Sequence, residues 1–326
     1  EKARKAGIRT IMITGDYPNT AAAIAKSINL LLPGRNVRTG SELNLLSDEE
    51  VREAVKTTDV FARVSPEHKM KIADALRAND QVVAMTGDGV NDAPANKRAD
   101  IGVAMGITGT DVAKEPADMV LTDDNYASIV SAIEQGRIIY SNIRKFVYYL
   151  ISCNIAEIMI IFLSTLFTGK SPLTAIQLLW LNLVTDGAPA LALANEAGDP
   201  DIMDQQPSPP KESIINQYMR GGIIVQTIAI TTAVLLAYFI GLRAHPELPE
   251  FAETMAFTTL SISELLRAYT SRSEYYPVLK IGLFKNKWMN IGVLASMVLI
   301  FLVIYVPFLN KLFDTVPLGW AQWELI

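Results

Sequence analysis

Cysteine occurs once in the 326 residues, at Cys153, so no internal disulfide can form and small secreted scaffolds stapled by bridges are excluded. An excess of basic residues is also missing. The 29 Lys and Arg face 34 Asp and Glu, a formal charge of −5, so no basic stripe is there to neutralise phosphates and no nucleic-acid partner is expected. The chain opens on Glu1-Lys2-Ala3-Arg4-Lys5, which is neither a start methionine nor a signal peptide. It reads as the end of a charged helix running into Gly7 and a strand. Charge itself becomes scarce further on: residues 1–145 hold 19 Lys or Arg and 20 Asp or Glu, the longer stretch 146–326 only 10 and 14. Half of all residues are hydrophobic, which excludes disordered and collagen-like chains. The length fits two domains of about 100–200 residues each.

From 7 to 124, short apolar runs alternate with amphipathic stretches, the pattern of a parallel sheet flanked by helices. Strands are expected at 8–14, 60–64, 82–86, 101–104 and 119–121, with helices at 19–31, 48–56, 66–78, 92–97 and 111–114. Five apolar segments of about 20 residues follow, the length a bilayer demands of a helix. They lie at 146–167, 173–194, 221–242, 251–270 and 288–309, and 221–242 and 288–309 are the least charged. Basic residues flank the first span (Arg137, Arg144, Lys145) and fill the fourth loop (Arg272, Lys280, Lys285, Lys287). Both are therefore expected on the cytoplasmic side, with the soluble half. The chain end, Trp320-Ala-Gln-Trp-Glu-Leu-Ile, reads as the start of another interfacial helix.

Thr86-Gly-Asp-Gly-Val-Asn-Asp92 follows a strand and opens a helix, which puts Asp88 at the carboxyl end of the sheet, where α/β proteins bind ligands. Asp88 and Asp92 are hard oxygen donors four residues apart, suited to one Mg²⁺ that keeps water and a phosphate as further ligands. An Asp-Gly turn followed by a helix cap is the competing reading. A second strand end supplies Thr14-Gly15-Asp16. A third region supplies Arg63, His68 and Lys69, of which Lys69 is the candidate cation for a phosphoryl group and His68 reads as structural.

In the apolar half, ionisable residues inside spans are functional candidates, because intramembrane charge is costly. The first span carries Asn154 and Glu157 at i,i+3. The second carries Asn182, Thr185 and Asp186, with Gly187 and Pro189 able to unwind the helix and free carbonyls. The fourth adds Glu264, with Arg267 three residues on. Six oxygen-bearing side chains approach the six to eight oxygens that Ca²⁺ takes. Polar residues that merely hold helices together are the alternative.

Three strings, Met12-Ile-Thr-Gly-Asp16, Phe61-Ala-Arg-Val64 with Pro66-Glu-His-Lys69, and Met85-Thr-Gly-Asp-Gly-Val-Asn-Asp-Ala-Pro94, occur in the order seen in P-type ATPases. With Tyr149-Leu-Ile-Ser152 and Leu179-Trp-Leu-Asn-Leu-Val-Thr-Asp-Gly187, the chain resembles that family over essentially its whole length. The nearest pattern is that of calcium pumps of the sarco/endoplasmic-reticulum type and their bacterial counterparts.

The resemblance implies a partial haloacid-dehalogenase-like phosphorylation domain at 1–125, a stalk helix at 126–145, and an all-α transmembrane bundle at 146–326. It makes Asp88 the Mg²⁺ ligand, with Asp92 and Asn91 in support. Thr14, Gly15, Asp16 and Arg63 would line the ATP side, and Lys69 would contact the phosphoryl group. Asn154, Glu157, Asn182, Thr185, Asp186 and Glu264 would coordinate the transported Ca²⁺. Arg267 departs from the two-site pattern, so one Ca²⁺ per cycle with H⁺ countertransport is expected. The family's Asp-Lys-Thr-Gly-Thr and Thr-Gly-Glu motifs are absent. The chain is thus expected to be a carboxyl-terminal piece, inactive on its own, that partners the remaining domains of the same pump and a lipid bilayer, with the plasma membrane as its site. Na⁺/K⁺, H⁺ or Mn²⁺ transport are the rivals. Sodium pumps usually carry an aspartate where Asn182 stands, and the Cys-Pro-Cys of heavy-metal pumps is missing. A phosphatase-like domain on a passive membrane anchor leaves the acids in the spans unexplained.

Overall fold

The computed structural model describes residues 1–209 and 212–326. The chain divides into two units, Glu1–Gln135 with Pro200–Glu212, and Gly136–Asp199 with Ser213–Ile326.

The first unit has parallel strands β1 (Met12–Ile13), β2 (Asn36–Thr39), β3 (Thr58–Ala62), β4 (Ala84–Gly87), β5 (Ile101–Met105) and β6 (Met119–Leu121). They form two three-stranded parallel sheets, ordered β1-β3-β2 and β4-β5-β6. The central strands read as apolar runs because both faces are covered: β3 is buried at every position. The one charge in it, Asp59, receives Arg9 Nε at 2.9 Å and Arg35 Nε at 2.6 Å. Burial opposes that charge, and the two guanidiniums outweigh it, holding the carboxyl below its ordinary range.

Helices Asp48–Thr57 and Pro66–Ala78 start at capping boxes on Ser47 and Ser65 and pack with Phe61 around Leu43, Val51, Val55 and Ile72. The expected strand at 8–14 shrinks to Met12–Ile13, and β2 was not foreseen, because Asn-Val-Arg-Thr is a polar, half-exposed edge. Strand 119–121 and helices 66–78 and 111–114 fall where the periodicity places them. Ile202 and Met203 pack against Ala3, Ala6 and Val130, so the segment after 200 belongs to this unit.

The second unit is helical. A single helix runs from Tyr126 to Thr168 without a break at Gly136, and ends where Gly169 takes a left-handed φ of 72° and its N–H closes on the Thr165 carbonyl. Helices Gln217–Ala244 and Lys287–Tyr305 begin at Asn216 and Asn286, whose side chains accept the N–H groups of Met219 and Met289. Four helices among the described residues are long and apolar enough to cross a membrane: Tyr126–Thr168, Ala175–Ala194, Gln217–Ala244 and Lys287–Tyr305. The Pro249–Thr270 helix, expected as a span, is richer in polar residues. Packing explains this. It contacts the Gln217–Ala244 helix along its length and is largely buried, while the hydroxyls of Thr254, Thr258, Thr259, Ser261 and Ser263 each donate to the carbonyl four residues back.

The burial pattern of this unit is the reverse of a water-soluble one. Leu183 is 70% and Leu191 72% exposed, while Asp186 and Glu264 are at 0%. Three of the basic residues that flank the spans are not surface charges. Arg272 is fully buried against Glu196 at 2.8 Å, Arg144 meets Glu274 at 3.2 Å, and Lys145 lies 3.9 Å from Asp199. The terminal Trp320–Leu325 stretch is helical, as its composition predicts.

Candidate functional site

Two groups of residues carry chemistry, one in each unit. In the first, Lys69 stands on the opening turn of the Pro66–Ala78 helix. His68 belongs to that helix's cap: its Nδ1 accepts the Ser65 N–H at 3.1 Å and its Nε2–H donates to Asn44 Oδ1 at 2.7 Å. It is structural, as the sequence indicates. Lys69 Nζ donates to Asp92 Oδ1, while Asp92 Oδ2 accepts the N–H groups of Asp88 (3.3 Å) and Gly89 (3.4 Å). Asp92 therefore does not cap its own helix: Oδ2 folds the Gly87–Asp92 turn and Oδ1 holds Lys69. Burial works against its charge, but Lys69 and the two backbone donors prevail and hold the carboxyl below its ordinary range.

Asp88 differs. Its carboxylate is exposed and has no hydrogen bond or ion pair among the described residues, so a hard oxygen donor stands free at the end of β4. Asn91 is likewise exposed, and its side chain has no hydrogen bond among the described residues. Gly87 is a packing glycine, since a Cβ there would run into the Asp92 side chain. Gly87→Ala is expected to displace Asp92 and to cost about 1–3 kcal/mol of stability. Urea denaturation of the full-length protein checks this; an unshifted midpoint contradicts it.

Thr14 and Asp16 close a small turn at the end of β1, with the Asp16 N–H on Thr14 Oγ1 at 3.1 Å, and Gly15 lies exposed between them. Arg63 and Val64 donate their N–H groups to the Asp16 and Thr14 carbonyls at 3.1 and 3.2 Å. Arg63 takes a left-handed φ of 53°, and its guanidinium lies 4.4 Å from the Tyr17 ring centroid. Thus Arg63 is tied to the Thr14–Asp16 turn, and Lys69 to Asp92.

Sequence reasoning missed Asp124. It accepts N–H bonds from Gly106 (2.6 Å), Ile107 (3.1 Å) and Thr108 (2.7 Å), which fixes the loop whose Thr110 N–H reaches the Asp88 carbonyl at 3.1 Å. Desolvation opposes its charge, and the donors from Ile107, Thr108 and Gly106 prevail, drawing it down to about 2. The Asp-Asp-Asn run at 123–125 is the only sequence signal.

The second group lies within the helical unit. Tyr149, Cys153 and Glu157 recur every four residues and so line one helix face, with Ala156 and Ile160 beside them, all buried. Facing them, the second span is locally wound as a π-helix over Leu181–Thr185 before the α-helix resumes at Gly187–Ala194. The expected unwinding at Gly187 and Pro189 does not occur, because both are helical. Pro189 still frees one carbonyl, since it offers no N–H to Thr185, whose oxygen instead accepts Ser296 Oγ–H at 3.2 Å.

The π-turn sets Asp186 inward, where Tyr149 O–H donates to Oδ1 at 2.7 Å and Oδ2 has no hydrogen-bond partner among the described residues. Asn182 Nδ2 donates to both oxygens of Glu157 at 3.0 Å. Among the described residues neither carboxylate oxygen of Glu264 has a hydrogen-bond partner, and Thr185 Oγ1 is buried without one. Cys153, Asp186 and Glu264 offer donor atoms that lie within 4.8 Å of one another. Unpaired acids in such surroundings invite a cation.

Asn154 is not brought in. It is exposed, and its amide bonds the Leu150 carbonyl of its own helix at 2.8 Å. Arg267 is 3% exposed and engages Ser152 Oγ at 3.2 Å, Thr270 Oγ1 at 2.9 Å and the Tyr148 ring at 4.3 Å, none of them a carboxylate.

Compared with known proteins, residues 1–100 match the haloacid dehalogenase-like hydrolase family, and residues 170–326 match the family described as cation transporting ATPase, C-terminus. The whole chain is 46% identical to a calcium-transporting ATPase of Bacillus subtilis (strain 168) and 41% identical to an endoplasmic reticulum calcium ATPase of Aspergillus fumigatus. Over 99% of its length it is 44% identical to a calcium-transporting ATPase of Lactococcus lactis. The chain spans only 36–37% of the length of these relatives. The chain joins a haloacid-dehalogenase-like α/β unit to a helical unit that matches the C-terminus of cation-transporting ATPases and has, among the described residues, four helices apolar enough to cross a membrane. Over its whole length it is similar to calcium-transporting ATPases.

Proposed function

We propose that the full-length protein is an ATP-driven Ca²⁺ pump working through an aspartyl-phosphate cycle, and that this chain supplies its ion site and part of its phosphoryl-handling site. The observation that carries the reading is the convergence of Glu157, Asp186 and Glu264 inside the helical unit, with no basic partner on any of them among the described residues. Glu157, Asp186 and Glu264 give carboxylate oxygens, Thr185 its hydroxyl, and the Asn182 amide, turned over, its oxygen. That is a hard, oxygen-rich set of the kind Ca²⁺ takes. Asn154 joins only if its helix turns, and is the weakest member. Protons replace the cation on the return path, since bare buried acids are costly.

In the α/β unit, Asp88 would hold Mg²⁺, which offsets charge on the transferred phosphoryl group. The free, exposed Asp88 carboxylate fits that role, and Asp92 serves by fixing the turn. Lys69, shared with Asp92, is the cation for the phosphoryl oxygens. Thr14, Gly15, Asp16 and Arg63 border the ATP side, with Asn91 in support. The α/β unit is cytoplasmic and the membrane is the plasma membrane. The Pro249–Thr270 helix, which brings Glu264, is a fifth span enclosed by the others.

Arg267, one turn beyond Glu264, places a fixed positive charge where a second cation would sit, so one Ca²⁺ moves per ATP. Arg267→Ala is expected to raise the number bound towards two. A count of two in the unaltered protein, or an unchanged count in the variant, contradicts this. ATPase activity of the full-length protein titrated separately with Ca²⁺, Mn²⁺ and Na⁺ tests the ion. Activation by Ca²⁺ at the lowest concentration is expected, and activation by Na⁺ alone overturns the reading.

A further inference from the structure

The cation cluster contains an atom that an all-oxygen site does not use. Cys153 sits one turn before Glu157 and one turn after Tyr149 on the same buried helix face, and is 0% exposed. Its sulfur lies within 4.8 Å of carboxylate oxygens of both Asp186 and Glu264. A buried cysteine alone is a small hydrophobe. Here, however, the sulfur shares its space with three carboxylate oxygens that have no hydrogen-bond partner among the described residues, Oδ2 of Asp186 and both oxygens of Glu264, on side chains that are themselves 0% exposed. A cation drawn to those oxygens meets the sulfur.

We propose that Cys153 is a ligand of the transport site and gives it a sulfur donor, so that the site takes soft divalent cations, Cd²⁺ being the probe, in addition to Ca²⁺. This rests on the reading of Glu157, Asp186 and Glu264 as the cation site. Hard Ca²⁺ is held by oxygens and gains little from sulfur, whereas softer divalent metals gain a strong bond to thiolate. On binding, the thiol S–H loses its proton to water and the freed sulfur lone pair forms the metal–sulfur bond. Two carboxylates and one thiolate then surround the metal, with Thr185 and Asn182 at the edge.

The test uses the full-length protein in detergent. Cd²⁺ is titrated against bound radiolabelled Ca²⁺ while the ultraviolet thiolate-to-cadmium charge-transfer band is recorded, for the unaltered protein, Cys153→Ser and Asp186→Asn. The expected result is displacement of Ca²⁺ by Cd²⁺ with growth of the band. In Cys153→Ser the band is lost and the ratio of Cd²⁺ to Ca²⁺ affinity falls by about tenfold or more. An unchanged ratio or a retained band overturns the proposal. So does displacement of Ca²⁺ without any band in the unaltered protein, a result that needs no variant to fold. Failure of the unaltered protein to bind Ca²⁺, or indifference of binding to Asp186→Asn, overturns the cation-site reading itself, whatever Cys153 does.

Discussion

Asp186→Asn is expected to lower Ca²⁺ affinity of the full-length protein by at least about 100-fold, more than the 10–100-fold typical of groups that only support a metal ligand. The reason is local. Asp186 is fully buried, its Oδ2 is unpartnered, and the π-turn over Leu181–Thr185 sets it inward towards Glu264. Removing its charge leaves the cation one anionic ligand short in a medium that screens little. Tyr149→Phe offers an internal comparison. Its hydroxyl only orients Asp186, through the 2.7 Å bond to Oδ1, so its loss should fall in the range of about tenfold. Equilibrium binding of radiolabelled Ca²⁺ checks both. If the two variants lose equal affinity, Asp186 is a supporting residue and the ligand set is wrong.

The second large effect concerns coupling. The Tyr126–Thr168 helix starts among residues of the α/β unit and carries Glu157 on a later turn; end to end it is about 60 Å long. Among the described elements it is the helix whose residues fall in both units, and a rigid element with two positions can transmit a change from the proposed phosphoryl site. Ile138→Pro removes an N–H from the helix interior and crowds the Glu134 carbonyl four residues back, at a cost of about 3 kcal/mol. The expected outcome is ATP hydrolysis that persists while Ca²⁺ uptake per ATP falls towards zero. Ile138→Ala keeps the helix and should keep coupling. Measured together, uptake and hydrolysis decide: normal uptake in the proline variant removes the helix from the mechanism.

Much of this architecture was legible in the sequence because its signals are local. The amphipathic stretch 66–78 announces a helix, and Met119–Leu121 a short apolar strand, and both occur at the expected residues. The buried acids stood out for a different reason: an intramembrane carboxylate is costly, so Glu157 in a run as apolar as 146–167 is a candidate even beside the reading that polar residues merely hold helices together. What stayed hidden depends on partners distant in sequence. Asn36–Thr39 is a strand only because β3 offers it a ladder. Asp124 matters because of the Gly106–Thr108 backbone above it, and nothing in its own neighbours says so. Asn154 shares the i,i+3 spacing with Glu157, but spacing does not reveal which of the two faces the helix interior, and the structure turns it outward. Gly187 and Pro189 suggested an unwound helix. Surrounding helices keep it wound, and the irregularity moves one turn earlier, into the π-turn. Arg272 read as a loop charge for topology and is instead half of a buried pair with Glu196, which the Asn286 amide also donates to at 2.8 Å.

The most direct test is ATP-driven accumulation of radiolabelled calcium in sealed vesicles that carry the full-length protein, set beside the same vesicles with Asp186→Asn. The account predicts accumulation in the first and none in the second. No accumulation by the unaltered protein, or equal accumulation by both, would contradict it.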